Sequence, residues 1–429
     1  MYEVLTAGIH CPPNIDTTDL GEAATLIIDG QAMVNYIGKP QKAVTFGDLA
    51  DVFIGAVLQS GTQFKRIDVV FDRYYEKSIK SGTRTRRGQG SAAIRRLIES
   101  RDVPLPSKWD NFMAHPENKT DLANFLSQQM MLKAPNNKTI VVSGGFNDEE
   151  KVESSSLEVD TDSLKACHEE ADTRIILHCM NNQASSIVIA SRDTDVLVLL
   201  LAHFHEMPTT RVWQKAGTAA KRKYIPIHTI ADRLAFNDST MKDITAFHAI
   251  TGSDTTSYLF RHGKKTCWKV FQEYSHLLTG LGQGELDEET AKDVELFICK
   301  VYNVPNASTV NKARAILFAK SCATDSLPPT SDALSFHIKR AHYQTSVWRQ
   351  ANKQYPELPP PETMGWRLEG TLLVPVLMSL PPVPDSCIEL ISCNCITRCM
   401  SARCKCKRTN LRCTAACKCR TTDDVCSNS

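Results

Sequence analysis

Short apolar runs bounded by polar residues alternate along the first half of the chain with longer stretches of helical spacing. TLIIDG at 25–30 reads as a buried strand closing on an acid and a glycine, and 46–60 (FGDLADVFIGAVLQS) repeats its apolar residues at helical intervals. RIDVVFDRYY predicts a second strand ending near Asp72, TIVVSGG at 139–145 a third, and SSIVIA at 185–190 a fourth. Residues 100–138 read as mostly helical, and NDEEKVESSSLEVDTDS as an acidic loop. EEADTRIILHCM has helical spacing, with Glu170 and Asp172 on its first turn. Strand, helix, strand with an acid closing each strand predicts an α/β fold built on a parallel sheet with right-handed crossovers.

Further along, 211–234 predicts a hairpin around Gly217 that returns through YIPIH into a helix. A helix over 244–260 should break at Gly252, and HGKKTCWKVFQEY is a glycine-led turn feeding another. Helices continue to about residue 353, and no internal repeat is visible. The expected organisation is an N-terminal extension (1–20), a main domain (21–353), a proline-rich linker (354–386) and a cysteine-rich module (387–429).

Composition changes this picture in one place only. An apolar share of 42% and a charged share of 23% are ordinary for a globular protein, and a net charge of +2 selects no partner. No apolar run approaches a membrane span and none reads as a signal peptide, so a cytosolic or nuclear protein without membrane partners is expected. The 16 cysteines are the exception: ten of them crowd between Cys387 and Cys426.

Two acidic pairs about twenty residues apart, Glu170 with Asp172 and Asp193 with Asp195, carry the candidate chemistry. Asp193 and Asp195 should lie just past the C-terminal end of a strand, where open α/β sheets place their sites. Asp29 and Asp72 close strands on the same edge. Crowded like charges are costly unless a cation neutralises them, and hard divalent cations take oxygen ligands. A basic run (Lys77, Lys80, Arg84, Arg86, Arg87, then Arg95 and Arg96) follows; such runs are most often a solvated helix face, but its place directly after that edge raises the case for phosphate contact.

In order, Asp29, Asp72, Glu170, Asp172, Asp193, Asp195 and Asp254 stand in IIDG, VVFD, EAD, RDTD and GSD. This series resembles the flap-endonuclease branch of the PIN-like nucleases over roughly 21–345, with Arg73 where those enzymes usually carry glycine. The resemblance implies a PIN-like parallel sheet flanked by helices and a two-metal site for Mg²⁺ or Mn²⁺ held by the seven acids. It also implies that Lys80 and Arg86 act on the scissile phosphate, and that Gly263, Lys264, Lys265 and Thr266 grip duplex backbone. No small organic cofactor is implied.

From Cys393 the tail spaces nine cysteines, Cys393, Cys395, Cys399, Cys404, Cys406, Cys413, Cys417, Cys419 and Cys426, among eight Lys or Arg and two Asp. A reducing compartment and an odd count favour metal over disulfides. The spacing resembles the CXC module of tesmin and TSO1-like proteins, which implies three structural Zn²⁺ sharing bridging thiolates. Even with that metal the module stays positive, so Arg403, Lys405, Lys407 and Arg408 are expected on DNA. The expectation is a nuclear, metal-dependent nuclease hydrolysing DNA and tethered by its zinc module. Two alternatives stay open: a catalytically silent PIN-like scaffold that binds DNA, and a nuclease directed at RNA.

Overall fold

The computed structural model describes residues 1–429 apart from 22, 76–77, 81–92, 218–220, 235, 237, 321–325, 382–392, 396–398, 410, 414–416, 421–425 and 429. The chain forms two compact units, Met1–Leu377 and Met378–Ser429. Among the described residues no helix is long and apolar enough to cross a membrane.

The first unit is built on seven strands: β1 Ala24–Asp29, β2 Arg66–Val70, β3 Thr139–Ser143, β4 Val152–Ser154, β5 Ser186–Ala190, β6 Val212–Ala216 and β7 Lys223–Pro226. Their order is β4-β3-β2-β1-β5-β6-β7. The five central strands are parallel, as the alternation of short strands and helices predicts, while β4 and β7 run antiparallel on the two edges. β7 is the returning arm of the hairpin read around Gly217. β4 corrects the sequence reading: the acidic stretch taken as a loop contributes Val152–Ser154 as an edge strand. Val152 is its one buried side chain, too weak a pattern to mark a strand from sequence.

Alternate residues of the central strands serve opposite cores. Ile27, Val70, Ile187, Ile189 and Val212 face one layer, with the helices Ala171–Met180, Thr194–His203, Asp238–Ile250 and Ser331–Arg349. Leu26, Ile28, Ile67, Val69, Ile140 and Val188 face the other, with Gly30–Ile37, Phe46–Ser60 and Pro116–Leu132. Burial on both faces explains why these strands read as continuous apolar runs. The Phe46–Ser60 helix has the bounds its periodicity predicts. Thr45 and Asp48 form a reciprocal capping box at its start, and Phe46, Leu49, Ala50, Phe53 and Val57 make its buried stripe.

Inside the sheet lies a charged network that the apolar pattern hides. Asp68 on β2 is fully buried and takes both Arg66 Nε and Nη2 at 2.7 Å. It also accepts from His178 Nδ1 at 2.7 Å, while His178 Nε2 meets Ser143 Oγ at 2.8 Å. Although this chain runs acid, imidazole, hydroxyl, all three groups are sealed from solvent, so its role is to bolt the Ala171–Met180 helix onto β2 and β3. Asp68→Ala leaves the buried His178 imidazole and the half-buried Arg66 guanidinium without their acceptor. It should lower unfolding free energy by roughly 3–5 kcal/mol in urea titrations, and a loss below 1 kcal/mol would contradict that role.

The stretch expected as linker is partly structured. Residues 366–375 form an antiparallel hairpin, β8 Trp366–Glu369 and β9 Leu372–Pro375, within the first unit. Trp366 packs edge-on against Tyr343 at 5.3 Å, and buried Arg340 donates to the carbonyls of Gly365 and Val376.

Candidate metal centres

The sheet order changes direction between β1 and β5: β2 and β3 follow on one side, β6 on the other. Crevices at such switch points, outside the carboxyl ends of the strands, are where open α/β sheets bind ligands. A cleft of about 1270 Å³ opens there, lined by Asp29, Asp72, Lys80, Glu170, Asp172, Asp193 and Asp254 among others.

Local backbone chemistry fixes most of these acids. Asp29 ends β1 and caps the following helix, accepting from Ala32 N at 2.8 Å. Asp72 lies two residues past β2 and accepts from Ala171 N at 2.8 Å, at the start of the helix that carries Glu170 and Asp172. Asp193 caps the Thr194–His203 helix through Asp195 N at 2.9 Å. Buried Gln214 on β6 donates to the carbonyls of Ser191 and Asp193, which holds that loop. Three helix starts thus aim carboxylates into one space, where the helix dipoles favour negative charge.

Oxygens of Asp172, Asp193 and Asp195 lie within 4.8 Å of one another. Burial, then the charge of Asp72, raises Asp29 to about 7. Burial also lifts Glu170 to about 7, against the pull of Lys80, and burial with Asp193 beside it holds Asp172 well above the carboxylate range. Asp193 is open to the cleft, yet protein mass around it and the Asp195 charge still raise it. Asp195 goes the other way. Burial would raise it, but a 2.8 Å bond from His248 Nε2 and the charges of Lys80 and Lys264 hold it low. Glu170 Oε2 is buried without a hydrogen-bond partner. An oxygen-only donor set, crowded charge and an orphaned buried oxygen fit a hard divalent cation.

The raised groups set a pH dependence. Unfolded carboxylates titrate near pH 4, so between about pH 4 and 7 the raised acids bind protons that the unfolded chain has lost, and their share of stability falls as pH rises. Buried imidazoles work in the opposite sense: burial lowers His168, His178, His248 and His337, so below about pH 6.5 the unfolded chain binds the extra protons and their share rises with pH. Asp68, Asp195 and Glu206, all held low, also oppose the raised acids and lose their contribution below about pH 4. Mn²⁺ is therefore expected to raise the thermal midpoint more at pH 7.5 than at pH 5, because the acids that would bind it must first lose their protons. A midpoint unmoved by Mn²⁺ at both pH values would show that these acids do not bind the metal.

Lys80 is brought to the cluster: its Nζ sits 2.8 Å from Glu170 Oε1, and Ser78 Oγ joins its backbone N–H to Glu169. Arg86 lies outside the described residues. The helix Lys264–Tyr274 begins after Gly263 as expected, with Lys265 and Thr266 exposed. Lys264 corrects the reading. Its ammonium donates to the carbonyls of His248 and Gly252 and to Thr251 Oγ1 at 2.6–2.9 Å, and burial lowers it to about 7. The lysine is spent on the end of the Asp238–Ile250 helix rather than on a phosphate. Arg73, which stands in for the usual glycine, gathers the carbonyls of Gly144, Phe146, Asp148 and Glu149 at 3.1–3.4 Å. It thereby shapes the loop after β3. Nothing in the sequence marks His248 or Gln214, since a lone polar residue in an apolar stretch does not announce its partner.

In the second unit all nine cysteines from Cys393 onward cluster, eight of them buried. They fall into four overlapping quartets, with Cys393 and Cys413 each in three. The sulfurs stand 3.6–3.9 Å apart. A disulfide needs about 2.05 Å, whereas a tetrahedron with Zn–S of about 2.3 Å has edges of about 3.8 Å. The donor set therefore fits tetrahedral zinc. Cys426 joins Cys399, Cys413 and Cys419 in one quartet. Arg403, Lys405, Lys407 and Arg408 are exposed, the last three on a short helix that turns Cys406 inward.

No protein-family description matches this chain, and no curated protein does. Among solved structures, the T5 D15 protein co-crystallized with metal ions is similar at 14% identity and a TM-score of 0.35, over 74% of this chain and 99% of that one. The catalytic core of Rad2 in complex with DNA substrate is similar at 11% identity and a TM-score of 0.36, over 75% and 94%.

Proposed function

We propose that the chain is a divalent-metal-dependent nuclease of the flap-endonuclease-like kind, acting on DNA and tethered to it by a CXC-like zinc module. The observation that carries this reading is the convergence of acids from β1, β2, β5 and two helix starts on one cleft at the switch point. Asp29, Asp72, Glu170, Asp172, Asp193, Asp195 and Asp254 would hold Mg²⁺ or Mn²⁺. Paired divalent ions supply charge stabilisation for the attacking and leaving oxygens of a phosphodiester displacement. The protein's own part is positioning: helix caps fix Asp29 and Asp193, and His248 keeps Asp195 ionised. Lys80, poised on Glu170, can turn its ammonium to a phosphate oxygen as charge develops there.

One ion pair favours the silent alternative. Lys80 already gives the acids an internal counter-charge, so the cluster can persist without metal. Labelled flap, duplex and single-stranded DNA, with single-stranded RNA alongside, incubated with and without Mg²⁺ or Mn²⁺, decide between the two. Cleavage that appears only with metal and favours DNA is expected; no cleavage of any substrate would leave the scaffold reading.

A further inference from the structure

A second, smaller cavity of about 140 Å³ adjoins the carboxylate cleft and shares Asp29, Ala32, Ser191 and Arg192 with it. Its charge is the reverse of its neighbour's: Arg192, Lys215 and Arg222 line it, against Asp29 as the one acid among the described residues. Register explains why cations gather here. Lys215 pairs with Ala190 at the end of β5, and Ala190 with Ile28 of β1, so Lys215 stands level with the strand ends that carry the acids. Arg222 comes just before β7, across the hairpin from Lys215. Tyr36, 58% exposed, holds the Arg192 guanidinium over its ring at 5.3 Å.

Among the described residues none of these three cations makes an ion pair. Lys215 is half-buried, and burial together with Arg222 depresses its pKa. Like charges kept close in a partly desolvated pocket are costly until an anion enters, and two guanidinium forks suit phosphate oxygens.

We propose that Arg192, Lys215 and Arg222 form a phosphate pocket holding a backbone phosphate of the DNA strand next to the one at the carboxylates. The pocket depends on the nuclease reading for its occupant but not for its charge. The shared Arg192 then lies where the strand passes from one cavity to the other, and the pair of cavities fixes the strand's path relative to the acids.

The test compares wild type, Lys215→Ala/Arg222→Ala, Lys215→Arg/Arg222→Lys and the exposed single variant Arg222→Ala, each checked by thermal midpoint. Without added divalent ions, calorimetric binding of inorganic pyrophosphate should weaken about tenfold in the double alanine variant, less in Arg222→Ala, and return in the charge-conserving pair. Binding of a single-stranded DNA oligonucleotide should show a salt slope shallower by about 0.7 for each phosphate that is no longer neutralised. Equal pyrophosphate affinity in all four proteins overturns the pocket, even where wild type cuts DNA with Mn²⁺. Weakened pyrophosphate binding with an unchanged oligonucleotide slope overturns DNA as the occupant. Wild-type cleavage, measured in the same series, tests the nuclease reading separately.

Discussion

Asp193→Ala is expected to lower Mn²⁺-dependent phosphodiester cleavage by roughly a thousandfold: metal charge stabilisation is worth several kcal/mol, and each 1.4 kcal/mol is about a factor of ten in rate. Asp193 is one of three acids, with Asp172 and Asp195, whose oxygens lie within 4.8 Å of one another, so its loss takes one ligand from that group. The same side chain caps the Thr194–His203 helix, and alanine there also costs about 1 kcal/mol of stability. Asp193→Asn separates the two roles: it keeps the cap oxygen and removes the charge. Both variants should lose cleavage, only the alanine variant should melt lower, and DNA binding should persist in each. Wild-type rates in either variant would mean that the activity comes from elsewhere or that Asp193 holds no metal.

Truncation after Leu377 is expected to weaken DNA binding about tenfold or more near 0.15 M salt while sparing cleavage at saturating DNA. That cut follows the boundary between the two compact units and removes no carboxylate of the cleft. If the four exposed cations Arg403, Lys405, Lys407 and Arg408 each neutralise a phosphate, the salt slope should become shallower by about 3 to 4. Among the described residues the module's buried core is its sulfurs alone, so zinc held there would supply its folding energy, on the order of 10–16 kcal/mol per structural ion. Cys413→Ser breaks three quartets at once and should release zinc and mimic the truncation. Cys395→Ser touches a single quartet and should act more mildly. Undiminished DNA affinity in the truncated protein would make the tail a structural or protein-binding module instead of a tether.

Much of this was legible in the chain because it is written locally. Buried parallel strands must be apolar on both faces, so the β1, β2, β3 and β5 runs stand out against polar surroundings. An amphipathic helix with a capping box shows its own bounds, and the Phe46–Ser60 helix does so to the residue. The cysteine spacing likewise points toward metal ligation, since an odd count of nine thiols suits shared ligands better than pairing into disulfides.

What escaped the sequence depends on partners far apart in it. Asp68 and Arg66 read as polar positions in a strand, and only the packing of β2 against the Ala171–Met180 helix gives Asp68 its imidazole, 110 residues away. Lys264 and Lys265 look alike in the chain; the fold buries one ammonium on a helix end and leaves the other exposed, because a helix start allows only some of its side chains to face solvent. The hairpin at 366–375 buries only Trp366 and Leu373 of its apolar side chains, so it rests on Tyr343 and Arg340 of the Ser331–Arg349 helix more than on its own pattern. The phosphate pocket is the extreme case. Arg192, Lys215 and Arg222 come from three segments, and nothing but sheet register sets them side by side at the strand ends. The sequence by itself determined which residues are acids, cations and thiols and which of the strongly patterned stretches are strands and helices, though not the edge strand β4 or the β8–β9 hairpin. Which charges share a dielectric environment was decided only by tertiary structure, because Coulomb energies depend on distance and burial and neither follows from position in the chain.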